Sequence, residues 1–243
     1  MDMTRDFIEK LQEMDTPHTF ETSNGTYCDK DLNRIPTATA VKQPLHTETL
    51  TSIVDYIRSN ADASALSESG RFIVHVENYN RAVLYKELNA DKNRDTLISA
   101  KYGTEDFGFG QFMPLEQFII SLQAAFVQDG STAQLLSFVS SVRNDSSVTQ
   151  NDDGVGQTVT VRQGISLAQK VTAPNPVALR PYRTFAEIEQ PESNYVFRIK
   201  KTDDGAYAAL FPADGDHWKH TAITSIANYL ESELLDNNVI VLA

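Results

Sequence analysis

Hydrophobic positions along this chain follow a helical period in some stretches and alternate in others. Phe7, Leu11 and Met14 share one side of a helix predicted over Thr4–Met14, which forms a short amphipathic arm. Asp216 precedes the last predicted helix and is expected to cap its first backbone amides. The same spacing predicts helices at about 47–60, 114–128 and 133–142, and one that starts at 214–216.

Alternating apolar and polar residues predict β-hairpins. Tyr195–Lys200 and Ala206–Phe211 are joined by Thr202-Asp-Asp-Gly205, the strongest hairpin signal in the sequence. Another hairpin pairs Arg71–Glu77 with Arg81–Leu88. Further strands are predicted at 96–102, 158–162, 175–181 and 239–242. We therefore expect an α+β fold of mostly antiparallel sheets with hairpins, packed by three or four amphipathic helices and preceded by the helical arm.

Proline, glycine and polar residues suggest where the chain divides. Residues 1–46 are expected to form the N-terminal arm and an extended connector, because prolines and an Asn24-Gly25 pair interrupt any period after Asp15. A polar loop over Asn144–Gly156 is the best internal boundary. It separates an expected α+β subdomain at 47–150 from a β-rich subdomain at 151–243 that ends with a helix and a strand.

The composition narrows the class of protein. A chain of 243 residues can bury roughly 70% of its extended surface, so it has room for a substantial core. Its 21 basic and 33 acidic side chains give a net charge of -12, which makes direct nucleic-acid binding unfavourable. The lone Cys28 forms no intramolecular disulfide or thiolate cluster. Acids near the start and short apolar runs predict a cytoplasmic protein without a membrane partner.

Few patterns in the sequence point to catalysis or to a cofactor. His217 and His220 could meet on one helix face and bind a metal, but exposed histidines at a helix start are the more common case. Phe107-Gly-Phe-Gly110 lacks the lysine of a phosphate loop, and its glycines are expected to let aromatic rings pack closely. We find no nucleophile motif, and we expect a non-enzymatic protein with no catalytic residues, metal or cofactor.

The most distinctive segment is Pro174–Pro191, which contains an Arg-Pro-Tyr-Arg corner. Tyr182 and Arg183 could stack on a partner or bind its carboxylate; alternatively, Arg183 pairs with Glu187 or Glu189 inside a rigid strand pair. Residues 201–243 carry two basic and seven acidic side chains and form the best candidate for an acidic interaction face. The candidate partner-binding residues are Tyr182, Arg183, Asp214, Asp216 and Trp218.

Several motifs over about residues 47–235 resemble the YfdQ-like family of phage and prophage proteins, a domain of unknown function. The similar segments are Thr49–Ile57, Glu116–Gln123, Asp152–Gln157, Pro174–Val177, Pro181–Phe185, Glu189–Pro191, Ala209–Phe211, Ala213–Gly215 and Trp218–Lys219. The resemblance implies an origin in a phage genome, near replication or recombination genes, and hence the cytoplasm of a bacterial host cell. It implies no catalytic residue.

Two functions from different classes follow. The first is a self-assembling homo-oligomer, such as a capsid-like shell of the HK97 type or a scaffold, because the amphipathic arm has little to bury against within its own chain. The alternative is an acidic phage accessory protein that binds a host or phage replication, recombination or defence factor, either as a DNA mimic or as a sponge. A third possibility is the capture of a small nucleotide signal by Arg180, Arg183 or Trp218.

Overall fold

The computed structural model places the chain in two units, Met1–Thr39 and Ala40–Ala243. The structure describes residues 4–22, 25–30, 43–62, 71–89, 92–103, 107–143, 149–152, 157–161, 169–172, 174–235 and 237–243. The loop expected at 144–156 lies largely outside these residues. None of the described helices is long and apolar enough to span a bilayer.

The first unit consists of a helix and a short hairpin. Helix α1 is Arg5–Asp15, and strands β1 and β2 are Thr19–Thr22 and Gly25–Cys28. Helix α1 ends at Asp15, shortly before Pro17. A proline disfavours helical backbone in the preceding residue, which here is Thr16. The hairpin occupies part of the expected extended connector. The predicted amphipathic arm is confirmed, and none of its residues is buried.

The second unit contains the other sheets and helices. Its elements in chain order are β3 Leu45–Thr47, α2 Thr51–Arg58, β4 Phe72–Asn78, β5 Arg81–Lys86, β6 Thr96–Lys101, β7 Met113–Pro114, α3 Leu115–Ala125, α4 Gly130–Arg143, β8 Thr149–Asp152, β9 Gln157–Val161, β10 Gln169–Thr172, β11 Val177–Leu179, β12 Ser193–Thr202, β13 Gly205–Pro212, α5 His217–Glu233 and β14 Val239–Leu242. Strands β8, β9 and β10 form a three-stranded antiparallel sheet.

A five-stranded mixed sheet forms the first core, with strand order β14-β4-β5-β6-β3. The predicted hairpin is its centre and pairs Val74 with Leu84, whereas the outer strands β14 and β3 run parallel to their neighbours. Alternate residues of these strands face helices α2 and α5, so one face of the sheet is apolar and covered. The buried residues of this core include Ile53, Ile57, Val74, Val76, Leu84, Ile98, Phe185, Ile226 and Leu230.

A four-stranded sheet with strand order β11-β12-β13-β7 forms the second core together with helices α3 and α4. The predicted hairpin is confirmed: β12 ends at Thr202, β13 begins at Gly205, and Phe197 lies opposite Leu210. Strand β11 is an edge strand, as its flanking prolines predict. The buried residues of this core include Phe118, Leu122, Phe126, Leu135, Val139, Leu179, Tyr195, Phe197 and Leu210.

The α+β class is confirmed by the five helices and the sheets of mostly antiparallel strands among the described residues. Both cores contain residues from before and after residue 150. Val74 and Phe185 both lie in the first core, and Phe118 and Tyr195 both lie in the second. The packing therefore does not separate residues 47–150 from residues 151–243.

Candidate functional site

A loop over residues 180–192 connects β11 to β12 and carries the distinctive Arg-Pro-Tyr-Arg corner. The side chain of Gln190, which is 7% exposed, holds this loop from inside. Its Oε1 accepts hydrogen bonds from the amides of Arg183 (3.0 Å) and Thr184 (3.3 Å). Its Nε2 donates to the carbonyls of Thr184 and Phe185, each at 3.2 Å. Gln190 therefore fixes the backbone that presents Arg183.

The Arg183 side chain is held by one aromatic ring and three oxygens. Its guanidinium carbon lies 3.7 Å from the centroid of the Trp218 ring, which is a cation–π contact. Nη1 donates to the Tyr195 hydroxyl at 3.1 Å, and Nη2 donates to the Pro191 carbonyl at 3.1 Å and to Ser193 Oγ. The expected pairing of Arg183 with Glu187 or Glu189 is wrong.

Glu187 and Glu189, the two acids expected to pair with Arg183, bind other groups. Glu189 pairs with Arg180. Glu187 accepts from the backbone amide of Thr51 at 2.9 Å and from its hydroxyl, at the first turn of α2, where a carboxylate is favourable. The geometry thus leaves Arg183 with neutral oxygens as its hydrogen-bond acceptors.

Burial changes the proton affinities around Arg183. Desolvation lowers the pKa of Arg183, while Tyr195 and Asp214 act in the opposite direction. Burial also raises the pKa of Tyr195 to about 12, although the neighbouring Arg183 opposes this shift. Asp214 is connected to Arg183 through the hydroxyl of Ser193, which donates to the Asp214 carboxylate. The Asp214 carboxylate is therefore connected to the guanidinium through a bridging hydroxyl.

The start of α5 supplies the facing wall. Asp216 has left-handed backbone (φ 64°), and its side chain makes no capping hydrogen bond, so the predicted capping role is wrong. Instead its carboxylate accepts from Lys219 Nζ at 2.8 Å. This contact lowers the pKa of Asp216 and raises the pKa of Lys219. Tyr79, in the turn between β4 and β5, packs edge-on against Trp218 with ring centroids 4.7 Å apart.

Between these elements lies a cavity of about 320 Å³. Its walls are rich in aromatic rings: Phe109 stacks on Tyr195 with centroids 5.1 Å apart, and Phe107 lies 5.0 Å from Phe109. The lining residues are Tyr79, Phe107, Phe109, Ala125, Pro181, Tyr182, Arg183, Tyr195, Pro212, Asp216, Trp218 and Lys219. The site is thus an apolar, ring-walled recess with a polar rim.

Gly108 and Gly110, on either side of Phe109, are required for a different reason from the one predicted. Gly108 and Gly110 have φ of 78° and 77°, a region that side chains with a Cβ rarely adopt. A Cβ at Gly108 would meet Met113 Cε only at 3.8 Å, which is ordinary contact. The backbone conformation, and not the close approach of rings, is what requires glycine there.

Four of the candidate partner-binding residues line this cavity: Tyr182, Arg183, Asp216 and Trp218. Asp214 lies behind Ser193 and does not line it. Sequence reasoning missed Tyr79, Phe109, Tyr195 and Lys219. Phe109 and Tyr195 lie in alternating, strand-like segments, and this pattern gave no sign of a site. Tyr79 is held next to the 180–192 loop, because the Thr184 hydroxyl donates to the Tyr79 carbonyl.

The histidines do not join the cavity. His217 and His220 are exposed, and their ring centroids lie 6.4 Å apart. Within the described ranges, no group of three or more His, Cys, Asp and Glu side chains is arranged to hold a metal ion.

Comparison with protein-family models, with curated proteins and with solved structures gives no match to this chain. The YfdQ-like resemblance therefore stays a prediction.

Proposed function

We propose that the protein is a non-enzymatic binding protein that holds a small aromatic molecule in the cavity between the 180–192 loop and α5. This corresponds to the third possibility predicted from the sequence, the capture of a small molecule. The observation that carries the proposal is the ring-walled cavity, in which Phe109, Tyr195 and Trp218 surround a volume of about 320 Å³. Ligand pockets usually measure roughly 300–1,000 Å³ and combine apolar walls with a few polar groups.

The polar groups of the cavity are suited to binding. Arg183 is engaged by three oxygens and a ring, and Lys219 by Asp216. Burial raises the pKa of Tyr195 to about 12, and the Asp216–Lys219 contact lowers the pKa of Asp216 and raises the pKa of Lys219. A general acid or base works best with a pKa near the operating pH, and the pKa values of Tyr195, Asp216 and Lys219 are shifted away from neutral pH.

Trp218 provides a direct test because it is the only tryptophan of the chain. We expect its fluorescence to change and saturate when a neutral aromatic probe such as adenosine is added. Cyclohexanol, a ring without π electrons, should cause little change. Aromatic contacts contribute about 1 kcal/mol, so Phe109→Ala should weaken binding of the aromatic probes by about three- to tenfold.

Phe112→Ala is the matched control for this experiment. Phe112 is also partly buried and lies in the same segment, but its ring packs against Phe211 at 6.0 Å and does not line the cavity. Binding should be unchanged in this variant. The proposal fails if no aromatic probe gives a saturable signal, or if both variants bind equally well.

A second candidate function, self-assembly, is favoured by the surface of α1. Phe7, Ile8, Leu11 and Met14 are 44–69% exposed, although they form one apolar side of the helix. An isolated helix of 11 residues is marginally stable in water and needs apolar contacts. A second copy of α1, lying against this side, would supply them. A scaffold or phage-shell subunit would use such an arm to join its neighbours.

Light scattering tests this candidate. We expect a molar mass above that of one chain for the wild type, and a lower mass for Leu11→Glu. Gln12→Glu places the same charge at an exposed neighbouring position and should leave the mass unchanged. A wild type that remains a monomer at high concentration would exclude assembly through α1.

A further inference from the structure

We infer that the molecule held in this cavity carries one anionic group, a phosphate or a carboxylate, attached to its aromatic ring. The inference rests on the proposed function and specifies its ligand. The ring would lie against the aromatic walls, and the anion would lie beside Arg183 and Lys219, which line the same cavity and provide positive charge.

The volume limits the size of the ligand. At about 30 Å³ per water molecule, the cavity corresponds to about ten waters. This is enough for one ring system with one substituent group. It matches one monomer unit, and the ligand class we infer is a mononucleotide or an aryl acid.

The environment of Arg183 favours an anion. Its side-chain hydrogen bonds go to a hydroxyl of Tyr195, a hydroxyl of Ser193 and the carbonyl of Pro191, all of which are neutral. Its Nε is buried and has no hydrogen-bond partner among the described residues. A partly desolvated cation without a directly bonded counter-ion gains when an anion enters the same recess.

Lys219 places a second cation at the rim. Its ammonium group has three N–H donors, and Asp216 takes one of them at 2.8 Å. The ammonium also lies 5.7 Å from the Tyr79 ring and 5.9 Å from the Trp218 ring. An anion bound here would therefore contact Lys219 directly while its ring reached the aromatic walls.

The negative charge of Asp216 would repel such an anion, so removing this charge should strengthen anion binding. The Asp216 carboxylate lines the cavity and shares Lys219 with the ligand. Asp216→Asn removes the repulsion, and asparagine tolerates the left-handed backbone found at this position. We expect this variant to bind an anionic probe more tightly than the wild type does, and a neutral probe equally well.

The experiment compares pairs of probes by Trp218 fluorescence: adenosine with adenosine monophosphate, and benzyl alcohol with benzoate. We expect the anionic member of at least one pair to bind about tenfold tighter or more, equivalent to about 1.4 kcal/mol. The pair with the larger difference identifies the anion as phosphate or carboxylate. Inorganic phosphate alone should bind weakly, since it lacks the ring.

Two lysine variants assign the contact. Lys219→Met should reduce the preference for the anionic probe at least threefold. Lys10→Met is the matched control, because Lys10 forms a similar ion pair three residues apart with Glu13 at 2.9 Å, on α1. That variant should retain the full preference.

The outcomes separate the inference from the proposed function. Equal binding of neutral and anionic probes overturns the inference and leaves aromatic binding intact, whereas no binding of any aromatic probe overturns both. Inorganic phosphate binding as tightly as the monophosphate would show that the ring is not recognised, and would also overturn the inference. If Lys219→Met keeps the full preference for the anionic probe, Lys219 does not contact the anion, which contradicts that part of the inference. Weaker anion binding by Asp216→Asn would contradict the predicted repulsion.

Discussion

Arg183 stacks on Trp218, with its guanidinium carbon 3.7 Å from the ring centroid, and this contact joins the 180–192 loop to the start of α5. Cation–π contacts contribute about 0.5–2 kcal/mol, more when the cation is desolvated. Arg183 also satisfies oxygens of Pro191, Ser193 and Tyr195. A single side chain thus organises one side of the cavity.

Arg183→Met should lower the free energy of unfolding by about 3 kcal/mol. The substitution keeps an extended apolar stem but leaves buried oxygens without their donor. Arg180→Met is the matched control: Arg180 pairs with Glu189 and Glu192, whose side chains are 78% and 56% exposed. Exposed pairs contribute little, so this variant should lose under about 1 kcal/mol in urea unfolding. Equal losses would contradict the structural role of Arg183.

Gln190→Glu should destabilise the protein by about 2–4 kcal/mol. An ionised carboxylate can still accept from the amides of Arg183 and Thr184, but it cannot donate to the carbonyls that Gln190 Nε2 now satisfies. The exposed Gln123→Glu is the control and should change the urea midpoint little. A small effect at Gln190 would show that this loop is not held from inside.

Alkaline pH should weaken the fold through Tyr195. Its pKa is raised from 10.0 to about 12 in the folded protein, chiefly by burial, so the folded state favours the protonated phenol. The stabilisation is complete below about pH 10 and is lost as the pH rises towards 12, by roughly 2–3 kcal/mol in total. Tyr56 acts in the same direction, because its pKa is also raised to about 12.

The change Tyr195→Phe checks this prediction. Unfolding measured at several alkaline pH values should show a shallower fall in stability than in the wild type. The remaining slope would come from Tyr56 and other groups. An identical slope in both proteins would mean that Tyr195 ionises as easily in the folded chain as in the unfolded one.

Gly108→Ala should cost about 1–2 kcal/mol, although the added methyl group has room. The cost comes from φ of 78°, which an alanine adopts only with strain. Gly103→Ala is the control, since that glycine has no left-handed φ and nothing within 4 Å of the added carbon. Thermal unfolding should show a lower midpoint for the first variant only. A neutral Gly108→Ala would argue against the described backbone.

The parts of the fold that depend on nearby residues could be predicted from the sequence. The turn Thr202-Asp-Asp-Gly205 defined the β12–β13 hairpin, and apolar spacing located α3 and α5, because these signals are local. The parallel pairing of β14 with β4 was not predicted. It joins strands far apart in the chain, and no local pattern encodes such a pairing.

The candidate site was predicted only in part, for a similar reason. Tyr182 and Arg183 stand out in the sequence because proline frames them, but the sequence offers Arg183 only an external partner or the nearby Glu187 and Glu189. In the structure the Arg183 guanidinium contacts Trp218 and neutral oxygens, because α5 packs against the loop. Lys219 and Tyr79 join for the same reason, as tertiary neighbours of Trp218.

The 180–192 loop reaches into both halves of the large unit. Phe185 is buried in the core of the five-stranded sheet, and Pro181 pairs with Phe126 of the other core. Because one short segment is anchored in both cores, neither sheet can open without pulling on the other. In hydrogen exchange, the amides of the two sheets should therefore exchange as one cooperative group, and a molecule bound beside Arg183 should slow that exchange in both sheets together.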